Sequence, residues 1–143
     1  MRRFSKKIFL WAPVLAAIAC VVIAPAWFNR AIAPTHYARI ADNIYADPAL
    51  SNADRRRALV DLKAARERIT ALYGAPQAEP VTLIAASVGE AARLGLGDGV
   101  PGAAFISPAG TNVVLNMAHF SIDVAAHELM HAELAVLRCV RAR

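Results

Sequence analysis

The sequence holds only two cysteines in 143 residues, Cys20 and Cys139. Cys20 lies inside an uncharged apolar stretch and Cys139 near the opposite end, so no disulfide framework is available to staple the fold. Phosphate-cradling loops are also missing. Gly95, Gly97, Asp98, Gly99, Pro101 and Gly102 form a turn-rich segment, but it has neither GxGxxG spacing into a helix nor a P-loop lysine. Charge of one sign is scarce as well. Of the 16 Lys and Arg, four (Arg2, Arg3, Lys6 and Lys7) precede residue 28, leaving 12 against 11 Asp and Glu. A remainder so close to neutral lacks the basic face that nucleic acid requires, so no nucleic-acid partner is expected.

Apolar residues, by contrast, make up 57% of the chain. From Ile8 to Phe28 there is no charged side chain. At 1.5 Å per residue this stretch spans roughly 30 Å, the thickness of a hydrocarbon core. The four positive residues ahead of it hold the N-terminus in the cytoplasm, and Trp11 and Trp27 sit near the two interfaces. The reading is a signal anchor over 1–28, single-pass in the cytoplasmic (inner) membrane, with the C-terminal domain on the extracytoplasmic side. Two alternatives stand beside it. Ala24-Pro25-Ala26 resembles a small-residue cleavage site, and the residues before Cys20 loosely resemble a lipobox with Ala17 in place of its Leu. All three put the remainder of the chain across the membrane.

Residues 29–50, with Pro34 and Pro48, read as a juxtamembrane connector with a short helix from Tyr37 to Tyr45. Ser51 or Asn52 caps a helix from about Asp54 to Tyr73, which Gly74 and Pro76 end. Leu59, Leu62, Ile69, Leu72 and Tyr73 supply its apolar stripe, and its six basic residues a solvated face. Val81–Ala86 reads as a buried strand, and Ser87 caps a brief helix over 88–94. Ala103–Ile106 and Thr111–Met117 read as two strands joined by a hairpin turn at 107–110. Ser121 then caps a last helix.

That last helix carries the chemistry. Residues 127–131 read His-Glu-Leu-Met-His. On a helix His127 and His131 are i and i+4, so both imidazoles leave one face and can share a divalent metal, typically zinc. Glu128 follows the first ligand directly and can act as general base toward a water that the metal acidifies. Chance places this pattern in a chain of this composition in roughly 0.4% of cases, which favours a functional origin over two histidines satisfied within a core helix. A catalytic zinc needs three protein ligands. Glu133 is the one carboxylate after His131, and its i+2 spacing turns it nearly opposite. Asp123 suits the first turn of the helix dipole, with the alternative of a hydrogen bond to His127. His119 precedes the cap, and His36 reads as a surface residue. A sheet edge beside this helix offers an extended peptide a backbone to pair with.

The order strand, short helix, two strands, HExxH helix resembles the gluzincin metallopeptidases, in particular small membrane-tethered bacterial proteins of the peptidase-MA-like kind. The resemblance runs from about Val81 to Leu137, with AHELMHAEL (residues 126–134) as its specific piece. It implies zinc as cofactor, His127 and His131 as metal ligands, Glu128 as general base, and a peptide or protein substrate. In that family a second helix follows and carries a Glu ligand. Here Arg138, Cys139, Val140, Arg141, Ala142 and Arg143 follow instead, and Leu137 stands where metzincins place a third His. The resemblance therefore implies a truncated product, and a catalytically inactive fragment or non-enzymatic envelope protein is the alternative. The expected fold class is α+β: a transmembrane helix (1–28), a connector (29–50) and a partial zincin-like domain (51–143). That domain would have helices and a short three-stranded sheet, and would end in the HExxH helix.

Overall fold

The computed structural model describes residues 28–108 and 110–141. The chain begins with a helix, α1 (28–36), followed by strands β1 (Ala38–Ala41) and β2 (Ile44–Ala46). Helix α2 (Asn52–Tyr73) leads to β3 (Val81–Ala85) and helix α3 (Val88–Arg93). Strands β4 (Gly102–Ser107) and β5 (Gly110–Asn116) follow, then a 3₁₀ turn (Met117–His119) and helix α4 (Ile122–Arg141). The strands form one sheet in the order β1-β2-β3-β5-β4. The three inner strands are parallel, and the two outer ones, β1 and β4, run antiparallel to their neighbours.

The structure corrects the expected fold in three places. The sheet has five strands where three were expected, and 29–50 is part of the fold where a connector was expected. The segment read as a helix from Tyr37 to Tyr45 is a hairpin. Asp42 and Asn43 form its turn, with Asn43 at φ 56, a left-handed conformation that asparagine tolerates. The strands are four and three residues long and half alanine or charged, so they carry no two-residue period to read. Pairing with β3 makes them a sheet: Thr82 N donates to Asn43 O at 2.8 Å and Asp47 N to Ile84 O at 2.9 Å. The expected transmembrane helix also has no counterpart in the described fold. Residues 8–27 lie outside the described residues, and among the described residues no helix is long and apolar enough to cross a membrane.

A core lies on each face of the sheet. On one face α2 and α4 pack through Ala58, Leu62, Ala65, Ile69, Ala125, Leu129 and Ala132 onto Ile84, Val113 and Leu115. On the other, α1 and α3 cover Leu83 and Val114 with Ala33, Tyr37, Ala91 and Leu94. Alternate residues of β3 and β5 feed opposite cores, as the pleat requires, and both strands are buried on both faces. The small alanines of α2 and α4 let the two helices approach closely. Leu72 and Tyr73, placed on the core stripe by their spacing, are instead exposed at the end of α2. Ser51 and Ser87 cap α2 and α3 through the backbone N–H of Asp54 and Glu90, and Gly74 ends α2 at φ 87. Asn29 donates to Leu94 O at 2.9 Å, and the Tyr37 hydroxyl donates to Glu90, which ties α1 to α3.

Candidate metal centre

Helix α4 starts where the sequence sets its cap: Ser121 Oγ accepts from Val124 N at 3.2 Å. At 100° per residue, Ala125, Glu128, Leu129, Ala132 and Ala135 face inward. His127 and His131 fall on the opposite, exposed side. The helix thus lies with its histidine stripe to solvent, β4 along one flank and α2 along the other.

The two imidazoles converge. Their Nε2 atoms are 3.0 Å apart, with ring centroids 4.6 Å apart and planes at 82°. A tetrahedral zinc with bonds of about 2.0–2.1 Å separates adjacent ligand nitrogens by about 3.3–3.4 Å. The observed separation is a few tenths of an ångström short of that, within a small side-chain rotation. The pair therefore fits two neighbouring vertices of a zinc tetrahedron. Without metal, one neutral ring can donate its Nε2–H to the other.

Glu128 lies between this stripe and the sheet. It is 8% exposed, yet its carboxylate makes no hydrogen bond or ion pair among the described residues. Its Cγ would be 3.1 Å from a Cβ placed on Gly102, the first residue of β4. Glycine at 102 is thus what allows the edge strand and the glutamate to sit so close. By sequence alone Gly102 falls in a turn-rich loop with no part in the site. Its position opening a strand was the signal available.

Two of the other candidate ligands, Asp123 and Glu133, are engaged elsewhere. Asp123 pairs with Arg68 of α2, not with His127. Glu133 accepts from Gln77 N and Ala78 N, both at 2.9 Å, and so clamps the loop after α2. His119 ends the 3₁₀ turn and His36 ends α1, both exposed. Among the described residues no group of three His, Cys, Asp or Glu is arranged to hold a metal ion. The motif offers two candidate ligands and a candidate base, and the described residues bring no third ligand to them.

Two clefts lie nearby. A groove of about 210 Å³ runs between α2 and α4, lined by Ile69, Tyr73, Met130, Leu134 and Leu137, beside the histidine stripe. A larger, more polar cleft of about 520 Å³, bounded by Arg39, Asp42, Arg66 and Glu79, takes no residue from the motif. Its carboxylates, Asp42 and Glu79, do not form part of any group of three metal-binding side chains among the described residues. Comparison with protein-family models, with curated proteins and with solved structures finds no match to this chain.

Proposed function

We propose that the chain is a zinc-binding domain of the metallopeptidase type, with His127 and His131 as the metal ligands and Glu128 as the general base. The observation that carries this reading is the convergence of the two Nε2 atoms at 3.0 Å on an exposed helix face, followed directly by Glu128, a mostly buried residue whose carboxylate has no partner among the described residues. Zinc held there supplies a Lewis acid that polarises a carbonyl and acidifies water. The protein's own part follows from its geometry. His127 and His131 would hold the metal through Nε2. Glu128, unbound by any described partner, is free to take a proton from the attacking water and pass it to the leaving amine.

A peptide is the substrate class that the fold suits best. Strand β4 is an edge, paired only with β5 within the sheet, and it runs beside α4 next to Glu128. An extended peptide added along that edge would gain main-chain hydrogen bonds and lie across the histidine stripe. The uncharged stretch over 8–28 behind four basic residues supports work on the extracytoplasmic side.

The two-ligand count favours a second reading, zinc binding without turnover in a non-enzymatic envelope protein. Metal analysis and a peptide-cleavage assay on the purified chain test both. Zinc retained by wild type and lost from His127→Ala/His131→Ala, with cleavage lost in Glu128→Gln, supports the peptidase. Zinc binding with no cleavage by wild type leaves the second reading, and absence of zinc removes both.

A further inference from the structure

The exposed apolar side chains are not scattered over the fold. Eight large hydrophobic residues are exposed among the described residues, and six of them lie at one end of the sheet: Phe28, Leu72, Tyr73, Ile106, Leu134 and Leu137. The topology places them there. Strands β2, β3 and β5 are parallel, so their first residues share one end of the sheet. Helix α2 returns from the end of β2 to the start of β3, which brings its last residues, Leu72 and Tyr73, to that end. Helix α4 leaves the end of β5 and runs beside α2 in the same direction. Asp123 meets Arg68, and ten residues on, Glu133 meets Gln77 and Ala78. Leu134 and Leu137 therefore come beside Tyr73, and the three line one groove. Ile106 pairs with Thr111 near the start of β5 and shares the α4 face of the sheet with Ala104. In α1, Arg30 Nη1 would be 2.6 Å from a Cβ placed on Gly110, the first residue of β5. Tyr37, just past α1, reaches Glu90 beyond the end of β3, so α1 starts with Phe28 at the same end as the other five. The remaining two, Val60 and Val88, sit within α2 and at the start of α3.

We propose that this end of the fold seats on the surface of a phospholipid bilayer. Leu72 and Tyr73 are 70% and 72% exposed, so nothing within the described fold covers them. A contiguous apolar patch of this kind marks an interaction surface. The chain itself indicates the partner. It enters the fold at this end, where Phe28 both opens α1 and closes the uncharged apolar stretch that begins at Ile8. That stretch has no polar face to turn toward water, so it needs apolar surroundings on every side. The patch offers one side only, and a bilayer offers all of them. Lipid that takes up the stretch lies directly against the end where Leu72, Tyr73, Ile106, Leu134 and Leu137 stand exposed. Tyrosine is favoured at such a boundary, where its ring meets lipid and its hydroxyl meets headgroups. Zinc plays no part in this seating, so it stands or falls separately from the peptidase reading.

The test is spin labelling of the full chain in vesicles of equal parts phosphatidylcholine and phosphatidylglycerol, with Cys20→Ser and Cys139→Ser removing the native thiols. Nitroxides are placed in turn on Leu72→Cys, Ile106→Cys and Leu134→Cys, and on Val60→Cys as the control. All four positions are exposed, so circular dichroism should match that of the unsubstituted chain. Labels at 72, 106 and 134 should be relaxed by oxygen, which partitions into lipid, and shielded from a water-soluble nickel chelate. The ratio of oxygen to nickel accessibility should rise several-fold over that at 60. The same ratio at all four positions would overturn the proposal. Shielding from oxygen and nickel alike at 72 and 134 would also overturn it, because it marks a protein cover, either the chain's own apolar stretch or a second molecule.

Discussion

Replacing Gly102 with alanine tests how β4 and α4 position the base. The new Cβ would lie 3.0 Å from Leu115 Cδ2, 3.1 Å from Glu128 Cγ and 3.2 Å from Val114 O. Comfortable carbon contacts need about 3.5–4.0 Å, so each neighbour must yield by roughly half an ångström. Val114 O is backbone of the adjacent strand and yields least. Leu115 is fully buried. Glu128 is the side chain with a solvent-facing route, so the displacement falls mainly on it. Overpacking of this kind costs about 1–3 kcal/mol. Loss of glycine's freedom in the unfolded chain offsets about 0.4–1 kcal/mol. At the midpoints of these ranges the net expectation is a destabilisation of about 1.3 kcal/mol. Gly89→Ala is the control: in α3 its Cβ would meet only Ser87 Oγ at 3.9 Å, so the substitution should stabilise by about 0.5–1 kcal/mol. Urea unfolding followed by circular dichroism reads both. If cleavage is present, Gly102→Ala should lower kcat by at least tenfold while zinc content holds, since misplacing a catalytic group by about 1 Å costs about 10²-fold. A Gly102→Ala protein as stable as wild type would refute the packing argument.

Other expectations rest on the same geometry. Glu128→Gln keeps the shape of the side chain and removes its basicity, so turnover should fall by about 10²–10⁴-fold with zinc stoichiometry unchanged; retained activity would remove Glu128 from the chemistry. Glu133→Ala strips the acceptor from Gln77 N and Ala78 N and should cost about 1–3 kcal/mol in urea unfolding. Leu62→Ala, at the centre of the α2–α4 core, should cost about 2–5 kcal/mol. Burial, reinforced by the hydrogen bond to Glu90, raises the Tyr37 hydroxyl above its ordinary value of 10.0. The folded state therefore favours the protonated phenol. That contribution is complete below about pH 10 and lost as pH rises beyond it. Tyr37→Phe should flatten the alkaline fall in the urea midpoint; an unchanged slope would place the cause elsewhere.

The parts of the fold that were legible in the sequence are those with local chemistry. Ser51, Ser87 and Ser121 announce helix starts because a hydroxyl must meet a free N–H, and Gly74 announces an end. Val81–Ala85 is legible because a strand buried on both faces must be apolar throughout. What was hidden depends on distant partners. The hairpin of β1 and β2 has no pattern of its own and exists through β3. Leu72 and Tyr73 keep the helical period yet stand exposed at the end of α2. At the site, the pairing of His127 with His131 follows from spacing alone. That Glu128 is buried against Gly102, that Asp123 goes to Arg68 and that Glu133 holds the loop after α2 are facts of tertiary packing. No period along one helix encodes them.

The central claim is that His127 and His131 share one cation through Nε2. X-ray absorption at the zinc edge of the zinc-loaded full chain measures this directly. Imidazole nitrogens at about 2.0–2.1 Å, with the multiple scattering of at least two rings, should appear in wild type and vanish in His127→Ala/His131→Ala. Zinc that stays bound in the double variant, or a shell without imidazole scattering, would contradict it.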